Sequence, residues 1–151
     1  MNNNVRIVSF HPEHVKLMDI RDSELEVLLC FQNIEQRLKV ISERGVCGTI
    51  MWGNTILGVM GYIELWKGVC EVWVIPSKSI PEHSIVFAKR IKKSLRLLRQ
   101  TKYFHRIQTA SLTNKEQDRF FTWLGFKDEG DLVCYSSKKE TYKMWAIVEK
   151  E

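Results

Sequence analysis

The sequence lacks several features that would set a chain of 151 residues apart from ordinary globular proteins. No stretch approaches the run of about 18 apolar residues that a membrane-spanning helix needs. The start, Met1-Asn2-Asn3-Asn4, has neither the basic nor the apolar region of a signal peptide. The chain also has no internal repeat, no low-complexity tract and no Pro/Gly/Ser-rich linker. These absences predict a single domain over residues 1–151 and a cytoplasmic location.

Closely spaced cysteines are missing as well. The four cysteines lie far apart, at Cys30, Cys47, Cys70 and Cys134. None forms a CxxC pair, so we expect each to be a small buried apolar residue rather than a zinc ligand or redox centre. His11 and His14 give an HxxH pair on a predicted helix, but no further cluster completes a ligand set. We therefore expect two surface histidines and no metal site.

Charge is unevenly distributed along the chain. The net charge is +5, but residues 78–106 alone carry +8, which leaves −3 for the rest. Most of these bases fall on one predicted helix, at Lys89, Arg90, Lys92, Lys93, Arg96 and Arg99. A basic patch indicates a polyanionic partner, either nucleic acid or a phosphate-bearing cofactor. The alternative is a solvated helix face without a partner.

Hydrophobic periodicity predicts an alternation of helices and strands. In the first half we expect, in order, a strand at Val5–Phe10, a helix opening at Pro12, a helix at Glu24–Ser42, and a three-strand meander at Val46–Trp52, Thr55–Leu65 and Val69–Ile75. In the second half we expect a helix at Glu82–Thr101, a strand at Arg106–Leu112, a short helix capped by Thr113 or Asn114 and ending at Leu124, and strands near Leu132–Tyr135 and at Tyr142–Val148.

The long predicted helix has a stripe expected to face the core, made of Ile85, Ala88, Ile91, Leu95 and Leu98. A helix between the fourth and fifth strands implies a parallel crossover. The fold class is therefore α/β: a mixed, mainly antiparallel sheet of seven strands flanked by four helices.

This order of elements resembles the GNAT fold of acyl-CoA N-acyltransferases. The most specific likeness lies in Arg106–Lys127, where Asn114 and Leu124-Gly125-Phe126 stand at the family's spacing. The fourth strand, Val72-Trp73-Val74-Ile75-Pro76, is similar to the family's hydrophobic strand closing on Val-Pro. The element order covers the whole chain, and the motifs cover about a third of it.

The resemblance implies that acetyl-CoA is the acyl donor. Its pantetheine arm would pair with the edge of the fourth strand at Val74 and Ile75, and its pyrophosphate would lie at the start of the long helix. The implied cofactor-binding residues are Val74, Ile75, Lys78, Ser79, Ser84, Asn114 and Phe121. The loop Ser77–Ser84 departs from the family because it contains no glycine. Glycine is favoured where the backbone has to approach a phosphate closely.

The resemblance also implies roles in catalysis. Many GNAT enzymes protonate the departing thiolate with a tyrosine three residues before Leu-Gly-Phe, and that position here is Phe121. Glu71 on the fourth strand matches the family's general base, and Glu64 on the third strand is a second candidate. Both carboxylates have the alternative of being solvated strand residues.

These residues are compatible with three functions. The first is a divergent acyl-CoA-dependent N-acyltransferase that transfers acetyl to a small-molecule or protein amine. The second is a catalytically silent GNAT-fold virion or interaction protein, because the chain also resembles the small internal virion proteins of tailed phages in its length, glycine-poor loop and basic helix. Nucleic-acid binding through the basic helix is a third, and no membrane partner is expected.

Overall fold

The computed structural model of the chain describes residues 4–20, 34–78 and 80–150. Seven strands and four helices form within these residues. In chain order they are β1 (Val5–Ser9), α1 (Pro12–Leu17), α2 (Ile34–Arg44), β2 (Val46–Trp52), β3 (Thr55–Trp66), β4 (Val69–Pro76), α3 (Ile80–Gln100), β5 (Arg106–Leu112), α4 (Lys115–Leu124), β6 (Lys127–Leu132) and β7 (Tyr142–Val148).

The seven strands form one sheet in the order β1-β2-β3-β4-β5-β7-β6. The β1/β2, β2/β3, β5/β7 and β6/β7 pairs are antiparallel, and the β4/β5 pair is parallel, with Val69–Glu71 opposite Arg106–Gln108. The predicted mixed sheet and its parallel crossover through α3 are therefore confirmed.

The chain divides into two compact units. The first comprises Met1–Ile63 and Trp73–Arg96, and the second comprises Glu64–Val72 and Leu97–Glu151. The first unit has a core cluster of Val15, Met18, Leu38, Val59 and Ile75. The buried apolar residues of the second unit include Ile107, Leu124, Phe126, Trp145 and Ile147.

The strand predicted near Leu132–Tyr135 is wrong, because β6 lies earlier, at Lys127–Leu132. This strand is an edge of the sheet and is almost entirely exposed, so it does not need the apolar alternation that strand prediction uses. Asp128 Oδ1 accepts from the Gly130 N–H at 2.8 Å, and the β6/β7 register shifts between Asp128 and Asp131. The chain then turns at Cys134, whose φ is +55°.

The predicted apolar stripe of α3 needs one correction. Ile85 is 69% exposed, whereas Phe87, Ile91 and Leu95 are buried at a spacing of four residues. The helix is interrupted at His83, where φ is −129° and ψ is 25°, so the regular helix that presents this stripe runs from the residue after it.

The remaining helices follow the sequence signals where they are described. The predicted Glu24–Ser42 helix is observed as Ile34–Arg44, and residues 21–33 lie outside the described part of the chain. Among the cysteines, Cys70 is buried, Cys47 is half-buried and Cys134 is exposed, so the expectation of burial fails for Cys134 because it occupies a turn. Cys30 lies outside the described residues. No helix in the described part of the chain is long and apolar enough to cross a membrane.

Candidate functional site

In the first unit, the end of β4 leads directly into the turn before α3. Ile75 and Pro76 are buried, and Val74 is half-buried. Ser77 follows with no exposed surface, and its N–H donates to the Leu57 carbonyl at 2.9 Å. The predicted pantetheine-pairing residues are thus held rigidly at the end of a packed strand.

In the part of this turn that the structure describes, backbone N–H groups donate to acceptors within the protein. The Lys78 N–H donates to the Asp19 carbonyl at 2.6 Å, and the Ile80 N–H donates to the Ser77 carbonyl at 3.4 Å. The Lys78 ammonium also lies 3.8 Å from the Asp19 carboxylate. Pro81 has no N–H. Both the backbone N–H and the ammonium group of Lys78, a predicted cofactor-binding residue, therefore lie against Asp19.

Two further predicted cofactor-binding residues are Ser79 and Ser84. Ser84 is exposed at the start of the regular part of α3, and Ser79 lies outside the described residues. The His83 ring stacks on Trp52 of β2, with centroids 4.5 Å apart and an interplanar angle of 25°. This stack holds the interruption in α3 against the sheet.

In the second unit, α4 begins and ends where the sequence predicts. Asn114 is the N-cap, and its Oδ1 accepts from the Gln117 N–H at 2.8 Å. Gly125 ends the helix in the left-handed region with φ +103°, and the Phe126 N–H donates to the Phe121 carbonyl at 3.0 Å. Asn114 is exposed, and because its side-chain oxygen serves as the cap, its side-chain NH₂ group remains as a donor.

Phe121 lies in an aromatic cluster of the second unit. Its half-buried ring stacks on Trp145 of β7, with centroids 5.5 Å apart, and meets Phe126 edge-on at 5.7 Å. Trp145 is 2% exposed, and its Nε1–H donates to the Ser111 hydroxyl at 3.0 Å. The ring of Phe121 is therefore fixed by packing and carries no exchangeable proton.

The two candidate bases differ in their surroundings. Glu71 is half-buried on β4, opposite Gln108 in the parallel ladder. Glu64 is exposed at the end of β3, and its carboxylate accepts from the Tyr103 hydroxyl at 2.8 Å. This hydrogen bond raises the pKa of Tyr103. Burial, with a smaller contribution from the Glu64 charge, raises the pKa of the Cys70 thiol to about 12 and leaves it unreactive.

Sequence reasoning missed the group that ties α4 to the sheet. Lys143 of β7 lies 3.2 Å from the carboxylates of both Asp118 and Asp128. Its pKa is raised by hydrogen bonds to Asp128 first and to Asp118 second. Lys143 also stands 5.4 Å from the centroid of the Trp145 ring. The separation of 25 residues between Asp118 and Lys143 leaves no local sequence signal for this contact.

The HxxH pair caps the start of α1. His11 is the N-cap and accepts from the Glu13 N–H at 3.1 Å, while His14 Nδ1 accepts from the His11 N–H at 3.2 Å. The buried Thr49 hydroxyl lies 2.7 Å from the same His14 nitrogen, so His14 is half-buried and not the surface residue we expected. Within the described residues no group of three or more His, Cys, Asp or Glu side chains is arranged to hold a metal.

Solved structures match this chain over almost its whole length. Ard1 from Thermoplasma volcanium aligns with a TM-score of 0.76 and 15% identity, covering 98% of this chain and 99% of that one. An acetyltransferase of the GNAT family from Bacillus anthracis aligns with a TM-score of 0.72 and 12% identity, covering 100% and 98%. The chain has the GNAT fold.

A third matching structure was solved with coenzyme A. RimL, a ribosomal L7/L12 α-N-protein acetyltransferase in complex with coenzyme A, aligns with a TM-score of 0.70 and 10% identity, covering 97% of this chain and 95% of that one. No protein-family model and no curated protein sequence matches the chain. At these identities the likeness establishes the fold.

Proposed function

We propose that the chain is a divergent N-acetyltransferase that moves an acetyl group from a coenzyme A thioester to an amine. The observation that carries this proposal is the end-to-end match to acetyltransferases, one of them in complex with coenzyme A. The GNAT-fold neighbours include enzymes named for spermidine and for ribosomal protein L7/L12, so both small-molecule and protein amines are candidate acceptors.

In this proposal, each candidate site residue has its own role in the reaction. Acetyl-CoA supplies an activated acyl thioester. Glu71 is the candidate base that takes a proton from the amine, because it is half-buried, whereas the carboxylate of Glu64 already accepts from Tyr103. Asn114 offers its side-chain NH₂, and Phe121 gives an apolar wall without an acid. We therefore expect the natural chain to turn over slowly.

Binding of acetyl-CoA should stabilise the folded chain, because a ligand that binds only the native state shifts the unfolding equilibrium. At about 100 times the dissociation constant the expected gain is about 2.7 kcal/mol, or roughly 5–11 °C in melting temperature for a chain of this size. The measurement is thermal unfolding with and without millimolar acetyl-CoA.

The matched control in this experiment is adenosine 3′,5′-bisphosphate, the nucleotide end of coenzyme A alone. We expect it to leave the melting temperature unchanged, because the Ser77 and Lys78 N–H groups are already paired inside the protein. If acetyl-CoA also gives no shift and no heat of binding, the acetyltransferase proposal is wrong and the fold assignment stands.

A second candidate is a GNAT-fold virion or interaction protein without turnover. The absence of a proton donor at Phe121 and of glycine in Ser77–Ser84 favours it. So does the exposed apolar turn after β6, where Val133 is 75% and Tyr135 is 53% exposed. Nucleic-acid binding through α3 is a third candidate. It predicts that the protein slows a DNA or RNA duplex in a gel and that this binding weakens steeply as the salt concentration rises.

A further inference from the structure

In the second unit, the carboxyl end of β5 is paired on one side only. β4 pairs with β5 at Val69–Glu71 opposite Arg106–Gln108, whereas β7 pairs with it from Arg106 to Leu112. From Thr109 onward the described pairing of β5 is therefore with β7 alone. In open α/β sheets, ligands bind in the crevice outside the carboxyl ends of the strands. The last residues of β5 are thus suitably placed to meet a ligand.

Ser111, the penultimate residue of β5, has a hydroxyl proton that no described residue accepts. Its oxygen accepts from the Trp145 indole N–H at 3.0 Å. A hydroxyl that accepts in this way keeps its own proton for donation, and the bond it accepts strengthens the bond it can give. Because Ser111 is only 8% exposed, leaving this donor unused costs free energy. A ligand or a water molecule that accepts from it would remove that cost.

The Ser111 hydroxyl lies on the face of the sheet on which α4 packs. In the β5/β7 ladder Thr109 is opposite Trp145. Since side chains alternate along a strand, Ser111 shares a face with both of them. On this face the Trp145 ring stacks on Phe121 of α4, with centroids 5.5 Å apart. Trp145 is therefore a common partner of Ser111 and of Phe121, the position to which the sequence resemblance assigns an acid.

The candidate base Glu71 lies on the other face of the same part of the sheet. Glu71 is opposite Gln108 in the parallel ladder, so these two side chains point to the same face. Gln108 and Ser111 are separated by three positions, so their side chains point to opposite faces. This arrangement suits a reaction in which a proton leaves the amine on one side and negative charge develops on the other.

We propose that Ser111 is a further catalytic residue, which donates a hydrogen bond to the thioester sulfur as the thiolate departs. This inference rests on the proposed acetyltransferase function. The amine nitrogen bonds to the acyl carbon, the C–S bond breaks, and the electron pair of that bond stays on sulfur. The Ser111 hydroxyl stabilises this charge and keeps its proton, and water then protonates the thiolate. The proton of the amine passes to Glu71 or to water.

The first test removes the hydroxyl and follows the release of free thiol from acetyl-CoA. Ser111→Ala should lower kcat about 10- to 100-fold, the usual worth of a hydrogen bond to a charged group. The KM for acetyl-CoA should change by no more than about twofold, because the charge on sulfur develops only in the transition state. Ser111→Thr keeps a hydroxyl and should keep most of the rate.

A matched control and a second background separate catalysis from a general effect on the fold. Thr109→Val removes a hydroxyl from the same face of β5, at a residue that is also 8% exposed, and should leave kcat within about twofold of the natural value. In the Phe121→Tyr background the tyrosine stabilises the same thiolate, so Ser111→Ala should cost no more than about threefold. A purely structural loss would be equal in both backgrounds.

The indole signal of Trp145 reports on the same contact without turnover. Coenzyme A added to ¹⁵N-labelled protein should shift this signal, because its sulfur accepts from the hydroxyl to which the indole N–H donates. Desulfo-coenzyme A lacks only the sulfur and should bind without this shift. The Trp145→Phe variant assigns the signal by its loss.

The outcomes distinguish this inference from the function on which it rests. An unchanged kcat in Ser111→Ala, an equal loss in both backgrounds, or equal indole shifts with the two coenzymes overturns the inference and leaves the acetyltransferase function standing. A loss of rate in Tyr142→Phe instead of Ser111→Ala overturns it too, since the donor would then be that phenol. Transfer by Phe121→Tyr with none by the natural chain also overturns it. No transfer by either protein overturns both proposals.

Discussion

Phe121→Tyr should raise the rate of acetyl transfer from acetyl-CoA to a simple amine by about 10²–10⁴-fold, the usual worth of a positioned general acid. The natural ring is fixed between Trp145 and Phe126 and has no proton to give to the departing thiolate. A tyrosine keeps the ring, its stacking and its size, and adds only the hydroxyl. Release of free thiol from acetyl-CoA measures the rate directly.

Three further variants test the roles in this prediction. Phe120→Tyr adds the same hydroxyl to the neighbouring half-buried ring of α4, which stacks on Trp123, and should give no gain. Glu71→Gln in the Phe121→Tyr background should abolish the gain, whereas Glu64→Gln should keep it. Fast turnover by the natural chain would show that the acid lies elsewhere. A Phe121→Tyr variant that binds acetyl-CoA without any gain would support the silent interaction protein.

Leu57→Ala should lower the free energy of unfolding by about 2–5 kcal/mol, because it removes a fully buried side chain and leaves a cavity in the first unit. Leu57 has 0% exposure in β3, and its carbonyl also accepts from the Ser77 N–H. The measurement is urea unfolding followed by circular dichroism.

Leu17→Ala is the matched control for this loss. It deletes the same atoms from a side chain that is 75% exposed at the end of α1, so it should change stability by no more than about 0.5 kcal/mol. Equal losses for the two variants would contradict the assignment of the first-unit core.

Local signals in the sequence predicted most of the fold. The turns at Gly53 and Gly68 have positive φ values of +56° and +82°, which glycine adopts without strain, and they separate the strands of the meander where the sequence predicted. Asn114 and Gly125 marked both ends of α4 for similar reasons of backbone geometry. β6 was missed because an exposed edge strand carries no hydrophobic alternation.

The candidate site was less predictable because its contacts join distant parts of the chain. The hydrogen bond of Trp145 to Ser111 spans 34 residues, and that of Tyr103 to Glu64 spans 39. The contact of Lys78 with Asp19 likewise depends on how the turn before α3 meets the segment after α1. Spacing along the sequence identifies which residue types are present, but it does not say which partner occupies each side chain.

A titration of ¹⁵N-labelled protein with acetyl-CoA, followed by amide chemical shifts, tests the central claim most directly. If the chain binds an acyl thioester for transfer, the amides of Asn114 and Phe121 in the second unit should move. The amides of Lys89, Lys93 and Arg96, whose side chains are exposed on α3, should stay in place, because none of them is a predicted cofactor-binding residue. Shifts confined to Lys89, Lys93 and Arg96, or no shifts at millimolar acetyl-CoA, would contradict the proposed acetyltransferase function.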